Sequence, residues 1–139
     1  MLLSGEDFSP VITDFGSATT ITQEVHGRQK ALAVQEYASI HSTMSFRAPE
    51  LLDTPSDCVI DAKSDIWAYG CTLFAMLYSR TPFETTAEGV TSLGIISGKY
   101  TQPRAVGEVY LAQQIDAALV VDPHGRATTA DLFATFPTA

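Results

Sequence analysis

The stretch from Ile66 to Tyr78 constrains this chain more than any other part of its sequence. Ile66, Trp67, Ala68, Leu73, Phe74, Ala75, Met76, Leu77 and Tyr78 leave a helix built here without a polar face. A helix apolar all round is expected to be buried on all sides. Asp65 suits the positive end of the helix dipole, Ser64 is the expected N-cap, and Pro82 stops any continuation. The predicted helix is therefore 65–78. It is too short to cross a bilayer, which takes roughly 20 apolar residues. With 139 residues in all, the chain is one domain's worth at most and must wrap its other elements around this helix. A content of 45% hydrophobic and 17% charged residues is enough for a core and excludes a self-repelling, disordered chain.

The other elements read more weakly. Residues 9–13 suit a short strand ending at Asp14-Phe15-Gly16, where the glycine permits a turn. Residues 17–24 show no clear preference. A helix is predicted over 28–40, with Ala33, Tyr37 and Ile40 on one face. Residues 43–47 read as irregular, Pro49 disfavours a helical Ala48, and 50–53 suit one helical turn. A helix over 88–97 is diluted by Gly89 and Gly94. One over 108–121 is clearer, with Leu111, Ile115, Ala118 and Leu119 on a common stripe. Asp122 to Arg126 reads as a turn, and Thr128 with Asp131 as a capping pair for a last helix through Phe136. After the opening strand everything is expected to be helix and loop, which makes the fold class mainly α.

Several functions are excluded early. Sixteen acidic against eight basic residues give a net charge of −8, unsuited to binding a nucleic-acid backbone. Cys58 and Cys71 have no Cys-x-x-Cys spacing, and with His26, His41 and His124 they form no known zinc pattern. Reduced thiols and a cytoplasmic location are expected. No Gly-x-Ser-x-Gly elbow supports a serine hydrolase. The first residues lack the basic start and apolar core of a signal peptide.

Taken alone, Asp14-Phe15-Gly16 is a weak signal and would read as a strand-end turn. It is followed by Thr43 and Ala48-Pro49-Glu50, then by Asp65-Ile66-Trp67-Ala68-Tyr69-Gly70. Thr81-Pro82-Phe83 and Asp122-Pro123 leading to Arg126 complete the series. These five marks, in this order, resemble the C-terminal lobe of eukaryotic protein kinases. Gly27-Arg28-Gln29-Lys30-Ala31-Leu32 and Gln35-Glu36-Tyr37-Ala38 resemble a helical insert in the activation segment of the Numb-associated kinase family. Within that family the similarity is to its myristoylated and palmitoylated serine/threonine kinase branch. Thr43 to Glu50, Cys58-Val59-Ile60-Asp61 and Val121-Asp122-Pro123-His124 fit the same branch. Ser42, Phe46 and Ala127 stand where such kinases often carry Gly, Tyr and Pro.

The resemblance implies a partial kinase domain over 1–139, with the activation segment at 14–50 and C-lobe helices over 64–136. It implies ATP and Mg²⁺ as cofactors and protein Ser/Thr hydroxyls as substrate. Asp14 would be the metal ligand, and Asp14, Phe15 and Gly16 together would form the cofactor-binding turn. Phe15 would pack between lobes. Thr43 would serve the catalytic centre by hydrogen-bonding its aspartate. Glu50 and Arg126 would form a buried salt bridge, and Asp65 would accept from the catalytic-loop backbone, a role compatible with capping its own helix. Thr19, Thr20, Thr22, Ser39 and Ser42 are hydroxyls in the activation segment open to phosphorylation.

Kinases carry a glycine-rich loop, a strand lysine and a His-Arg-Asp loop before Asp-Phe-Gly. Met1 to Thr13 contain no His, Arg, Lys or Asn. Leu2-Leu3 fits the apolar pair that follows the catalytic-loop asparagine. The chain is thus expected to start at an internal methionine of a longer kinase whose N-terminal part would carry any lipid anchor. As a lone polypeptide it is expected to be inactive and poorly folded, because helix 65–78 lacks one covering helix. A non-catalytic, kinase-derived interaction module is the alternative.

Overall fold

A computed structural model describes residues 2–4, 9–20, 22–85, 89–102 and 109–136. Strands β1 (Leu2–Ser4) and β2 (Ser9–Val11) pair antiparallel, with Leu2 opposite Val11. The strand expected over 9–13 ends at Val11. Its partner β1, three residues long, is too short to show a period. Met1 lies outside the described residues.

Strand β3 (Gln23–His26) pairs antiparallel with β4 (Asp57–Ile60), Val25 facing Cys58 and His26 facing Asp57. This ribbon overturns the expectation of helix and loop alone after the first strand. Each strand has four residues, and their pairing is set by distant partners, so neither carries a local signal. Val25 is fully buried with Ala31 and Val34, and Leu51, Cys58 and Ile60 pack on them. Gly27 follows with φ 81, a left-handed conformation favouring glycine, and its N–H donates to the Ser56 carbonyl at 2.6 Å.

Helix α1 (Arg28–His41) then turns an unexpected side inward. Ala31, Val34 and Ala38 are its buried residues, whereas Ala33, Tyr37 and Ile40 face solvent. Ile40 is 70% exposed. The helix has two apolar stripes, and the one with small residues permits the closer approach to β3 and α2 (Pro49–Leu52). A 3-10 turn at Met44–Phe46 separates α1 from α2. Ala48 before Pro49 is extended (ψ 150), as a residue preceding proline prefers.

Helix α3 (Lys63–Tyr78) starts two residues earlier than the sequence suggested. Ala62, not Ser64, occupies the N-cap, and the Asp61 carboxylate accepts the Lys63 N–H at 2.8 Å. Ser64 is drawn inside the helix because its hydroxyl serves Glu50. Nor is α3 buried all round. Ile66, Trp67, Gly70, Cys71 and Phe74 are inside, but Thr72 is exposed and Met76 is 69% exposed. The helix ends at Ser79 in the left-handed region, φ 54.

Strands β5 (Glu84–Thr85) and β6 (Gly89–Val90) form a small antiparallel ribbon, and α4 spans Ser92–Ser97. The helix expected over 88–97 starts later because β6 takes its first positions and the Thr91 hydroxyl caps it, accepting the Gly94 N–H at 3.1 Å. Glu88 lies outside the described residues, as does Glu108 at the start of the helix expected over 108–121. That helix is α5 (Val109–Ala118), and α6 (Thr129–Ala134) stops short of Phe136. Thr128 and Asp131 form a reciprocal capping box at α6. The fold is mainly α, with short two-stranded ribbons.

The main core gathers on α3. Trp67 stacks on Phe83 at 5.3 Å, and Tyr100 meets Phe74 and Phe83 edge-on, each at 5.8 Å. Ile95, Ile115 and Leu119 close it. A polar thread crosses the smaller cluster of Ile66, Ala118 and Leu132. The Tyr69 hydroxyl donates to the fully buried Gln114 carboxamide oxygen, and the Gln114 amide donates to the Thr135 hydroxyl at 2.9 Å.

Helices α3 and α5 touch at Gly70. A Cβ there would lie 2.8 Å from the Ala118 Cβ and 2.9 Å from Leu119 Cδ2. Ala gains about 1 kcal/mol of helix propensity over Gly, but Ala118 has no flexible end to move aside. Gly70→Ala is thus expected to destabilise by about 1–3 kcal/mol net, read as a lower Tm by circular dichroism. At the ribbon, hydrogen bonds to Asp57 and then Glu24 raise the His26 pKa above its usual 6.5. The contribution of protonated His26 to β3–β4 pairing is expected in full below pH 6.5 and lost as pH rises through the raised value. An NMR titration of His26 checks this, and Asp57→Asn should bring its midpoint down.

Candidate functional site

The strongest polar arrangement is built around Arg126, only 2% exposed. A guanidinium has five N–H donors and cannot shed its charge, so burial is tolerable only if each donor finds an acceptor. All five do. Nε donates to the Val120 carbonyl at 2.9 Å. Nη1 donates to Glu50 Oε1 at 2.7 Å and to the Lys63 carbonyl at 2.6 Å. Nη2 donates to Glu50 Oε2 at 2.9 Å and to the Val121 carbonyl at 3.2 Å. The pairing with Glu50 is bidentate, the geometry in which Arg outperforms Lys.

Surrounding groups complete the arrangement. Ser64 Oγ donates to Glu50 Oε1 at 2.9 Å, and Lys63 Nζ donates to the Arg126 carbonyl. The guanidinium also sits 5.1 Å from the Trp67 ring centroid, a cation–π contact. Residues 76 apart in sequence thereby join α2, the start of α3 and the turn after α5. Lys63, Ser64 and Trp67 went unnoticed as members of this network in the sequence. Acceptance by backbone carbonyls leaves no residue pattern to find. Trp67 Nε1 is the one buried side-chain polar atom without a hydrogen bond among the described residues.

The segment leading to Glu50 is held by a second arginine that the sequence reading also passed over. Arg47 Nε donates to Ser42 Oγ at 2.9 Å, and its Nη2 donates to the Ser42 carbonyl at 2.6 Å and the Ser39 carbonyl at 3.4 Å. A cation over the last carbonyls of α1 favours the helix dipole. Arg47 thus ties the end of α1 back onto the turn that begins at Thr43. Thr43 is exposed, and its carbonyl accepts the Phe46 N–H at 3.0 Å. Ser42 is extended (φ −137), a conformation that requires no glycine. Ala127 N–H donates to the Ala117 carbonyl at 3.1 Å, a bond that proline at 127 would lack.

Asp14, Phe15 and Gly16 lie apart from this anchor network in an exposed stretch. Asp14 has φ 67, which costs a non-glycine residue about 1 kcal/mol or more and is tolerated by Asp better than by bulkier residues. Phe15 is 69% exposed, so its side chain packs on no neighbouring lobe within this chain. Asp65, on the first turn of α3, is exposed and accepts no hydrogen bond among the described residues. The structure therefore joins Glu50 to Arg126 but does not bring Asp14, Thr43 or Asp65 into that network.

No group of three or more His, Cys, Asp or Glu among the described residues could hold a metal. A site for Zn²⁺ or Ca²⁺ built from protein ligands alone is not present there. Mg²⁺ makes a smaller demand, commonly one or two carboxylates with phosphate oxygens and water completing its shell. The exposed carboxylate of Asp14 fits that demand as one hard ligand. Cys58 and Cys71 are free thiols, and burial pushes the Cys71 pKa up to about 12, which makes it unreactive. No described helix is long and apolar enough to cross a membrane.

A family model described as the protein kinase domain matches residues 1–135. Human serine/threonine-protein kinase 16 is 33% identical over 127 residues, an alignment covering 90% of this chain and 42% of that protein. The serine/threonine-protein kinase ppk13 of Schizosaccharomyces pombe is 33% identical over 135 residues, covering 95% of this chain and 39% of its own. ENV7, a serine/threonine-protein kinase of Saccharomyces cerevisiae, is 31% identical over 135 residues, covering 94% and 37%. The chain thus spans about two-fifths of the length of these relatives.

The buried ion pair yields a sharp expectation. Arg126→Met strands the Glu50 carboxylate and is expected to cost about 3–5 kcal/mol. Arg126→Met combined with Glu50→Gln should cost less than Arg126→Met alone, because the stranded charge is gone. A double-mutant cycle by urea unfolding measures the difference.

Proposed function

This chain belongs to the protein kinase domain family, and from that premise we propose that it is the C-terminal lobe of a serine/threonine protein kinase. The activity is transfer of the terminal phosphoryl group of ATP to Ser and Thr hydroxyls of protein substrates. The observation that carries the reading is the family match over 1–135, whose motifs run in order from Asp14-Phe15-Gly16 to Arg126. The buried Glu50–Arg126 pair supports it, because it holds the segment bearing Thr43 against α3. We also propose the Numb-associated branch, supported by the insert helix α1 between Asp14 and Thr43.

The roles follow from where charge develops. Phosphoryl transfer spreads negative charge over three oxygens, so catalysis is mainly positioning and electrostatic stabilisation. Asp14 is the proposed magnesium ligand, and the metal when bound neutralises phosphate charge. Phe15 and Gly16 complete the turn that presents the Asp14 carboxylate. Thr43, exposed at the start of the 3-10 turn, lies on the surface proposed to meet the substrate hydroxyl. Glu50, Asp65 and Arg126 act as anchors with no part in bond making. None of the 139 residues supplies a His-Arg-Asp motif. The proposed proton acceptor and glycine-rich loop therefore belong to another part of the kinase, and this polypeptide by itself is proposed to be inactive. A cytoplasmic setting is part of the proposal, resting on the absence of Cys-x-x-Cys spacing between Cys58 and Cys71.

The test uses a protein carrying this segment together with a His-Arg-Asp loop and a glycine-rich loop. With labelled ATP and a mixed peptide library, phosphoserine and phosphothreonine should dominate, and a predominance of phosphotyrosine would overturn the reading. Asp14→Asn is expected to lower kcat about a hundredfold or more. The 139-residue polypeptide on its own should incorporate no label.

A further inference from the structure

A cleft separate from Asp14 and Thr43 opens where α2, α4 and the turn after α5 meet. Its walls are Pro49, Glu50, Asp53, Pro55, Ile96 and Val121. Ile96 and Val121 are each 37% exposed, so both present apolar surface to water. Leu93, one turn before Ile96 on α4, is 77% exposed. The walls are stiff before any ligand arrives. Proline fixes φ at both Pro49 and Pro55, and Val121 rests against Gly98, where a Cβ would collide with it.

Among the described residues that line the cleft, the charged ones are the carboxylates Glu50 and Asp53. Glu50 contributes little net field, since Arg126 neutralises it and occupies both of its oxygens. Asp53 is exposed and has no cationic partner among the described residues. Asp122 follows Val121 in sequence and is likewise exposed; it accepts the His124 N–H at 3.0 Å and has no cationic partner among the described residues. No Lys or Arg is among the described residues that line the cleft, and the whole chain carries −8. Such a field repels anionic ligands and concentrates cationic ones.

We propose that this cleft docks a short peptide segment of a partner protein, with one large aliphatic side chain flanked by Arg or Lys. The aliphatic group covers Ile96, Val121 and the two prolines, removing their apolar surface from water. The flanking cations meet Asp53 and Asp122. Preformed walls keep the ordering cost of binding on the peptide side. This docking does not depend on phosphoryl transfer and would persist in a protein that transfers nothing.

The test titrates a protein carrying this segment together with the rest of its kinase domain into fluorescein-labelled Gly-Arg-Leu-Arg-Gly amide and reads polarisation. Saturable binding is expected, weakening as salt rises. Exchanging both arginines of the peptide for glutamate, or its leucine for alanine, should reduce affinity about tenfold or more. On the protein side, Asp53→Lys and Ile96→Gln should do the same while the circular dichroism spectrum is unchanged. The proposal is overturned if the native chain gives no saturable binding, or if the glutamate peptide binds equally well. Should either protein variant unfold, the peptide exchanges still decide the matter.

Discussion

A guanidinium taken out of water dictates the positions of everything that touches it. Arg126 can be buried only because three backbone carbonyls and both Glu50 oxygens converge on its five donors. That requirement fixes where the chain must pass at Lys63, Val120 and Val121, and hence how α2, α3 and the end of α5 sit together. The pair is a weak source of net stability, since desolvation offsets most of its attraction. What it supplies is a geometric demand: a packing that kept Arg126 buried but separated it from Glu50 would leave uncompensated charge inside. The Trp67 ring beneath the cation links this polar network directly to the aromatic core.

Around that anchor the molecule divides into a packed centre and open flanks. Trp67, Phe74, Phe83, Ile95 and Ile115 are closed off from water, and Gly70 lets α3 and α5 approach more nearly than any side chain would allow. Toward the beginning of the chain, Ile12 and Phe15 are 73% and 69% exposed. Met76 on α3 and Ile40 on α1 are similarly open. The residues proposed to meet nucleotide and substrate, Asp14 and Thr43, lie in the exposed part, while those that hold shape lie in the closed part. Rigidity in one and access in the other is the arrangement expected of a binding surface on a fixed scaffold.

How much of this could be read from the sequence depended on the range of the interaction. Helix α3 was legible because its apolar run and its stop at Pro82 are local, and the Thr128–Asp131 capping box likewise lies within one turn. The ribbon of β3 and β4 was not, since four-residue strands gain their stability from partners thirty residues away. Periodicity found α1 but chose the wrong face, because Tyr37 and Ile40 outweigh Ala31 and Ala38 in hydrophobicity though the small residues are those that allow contact. Ser64 looked like a cap and is instead a donor to Glu50, a choice visible only once Glu50 is in place. Of the site residues, Glu50 and Arg126 could be paired through family resemblance alone, as no local pattern joins them. The latch from Arg47 to the end of α1 had a faint trace, a cation just beyond a helix C-terminus.

The thread through Gln114 has a further consequence for the last helix. Because Tyr69 and Thr135 share one buried carboxamide, α6 is moored to the body of the protein by polarity, with Leu132 as its single sunken apolar contact. Phe133 and Phe136, resting against each other at 6.0 Å on the outside, bear little of that mooring. A change at either ring leaves that mooring in place, whereas loss of the Gln114 carboxamide removes it.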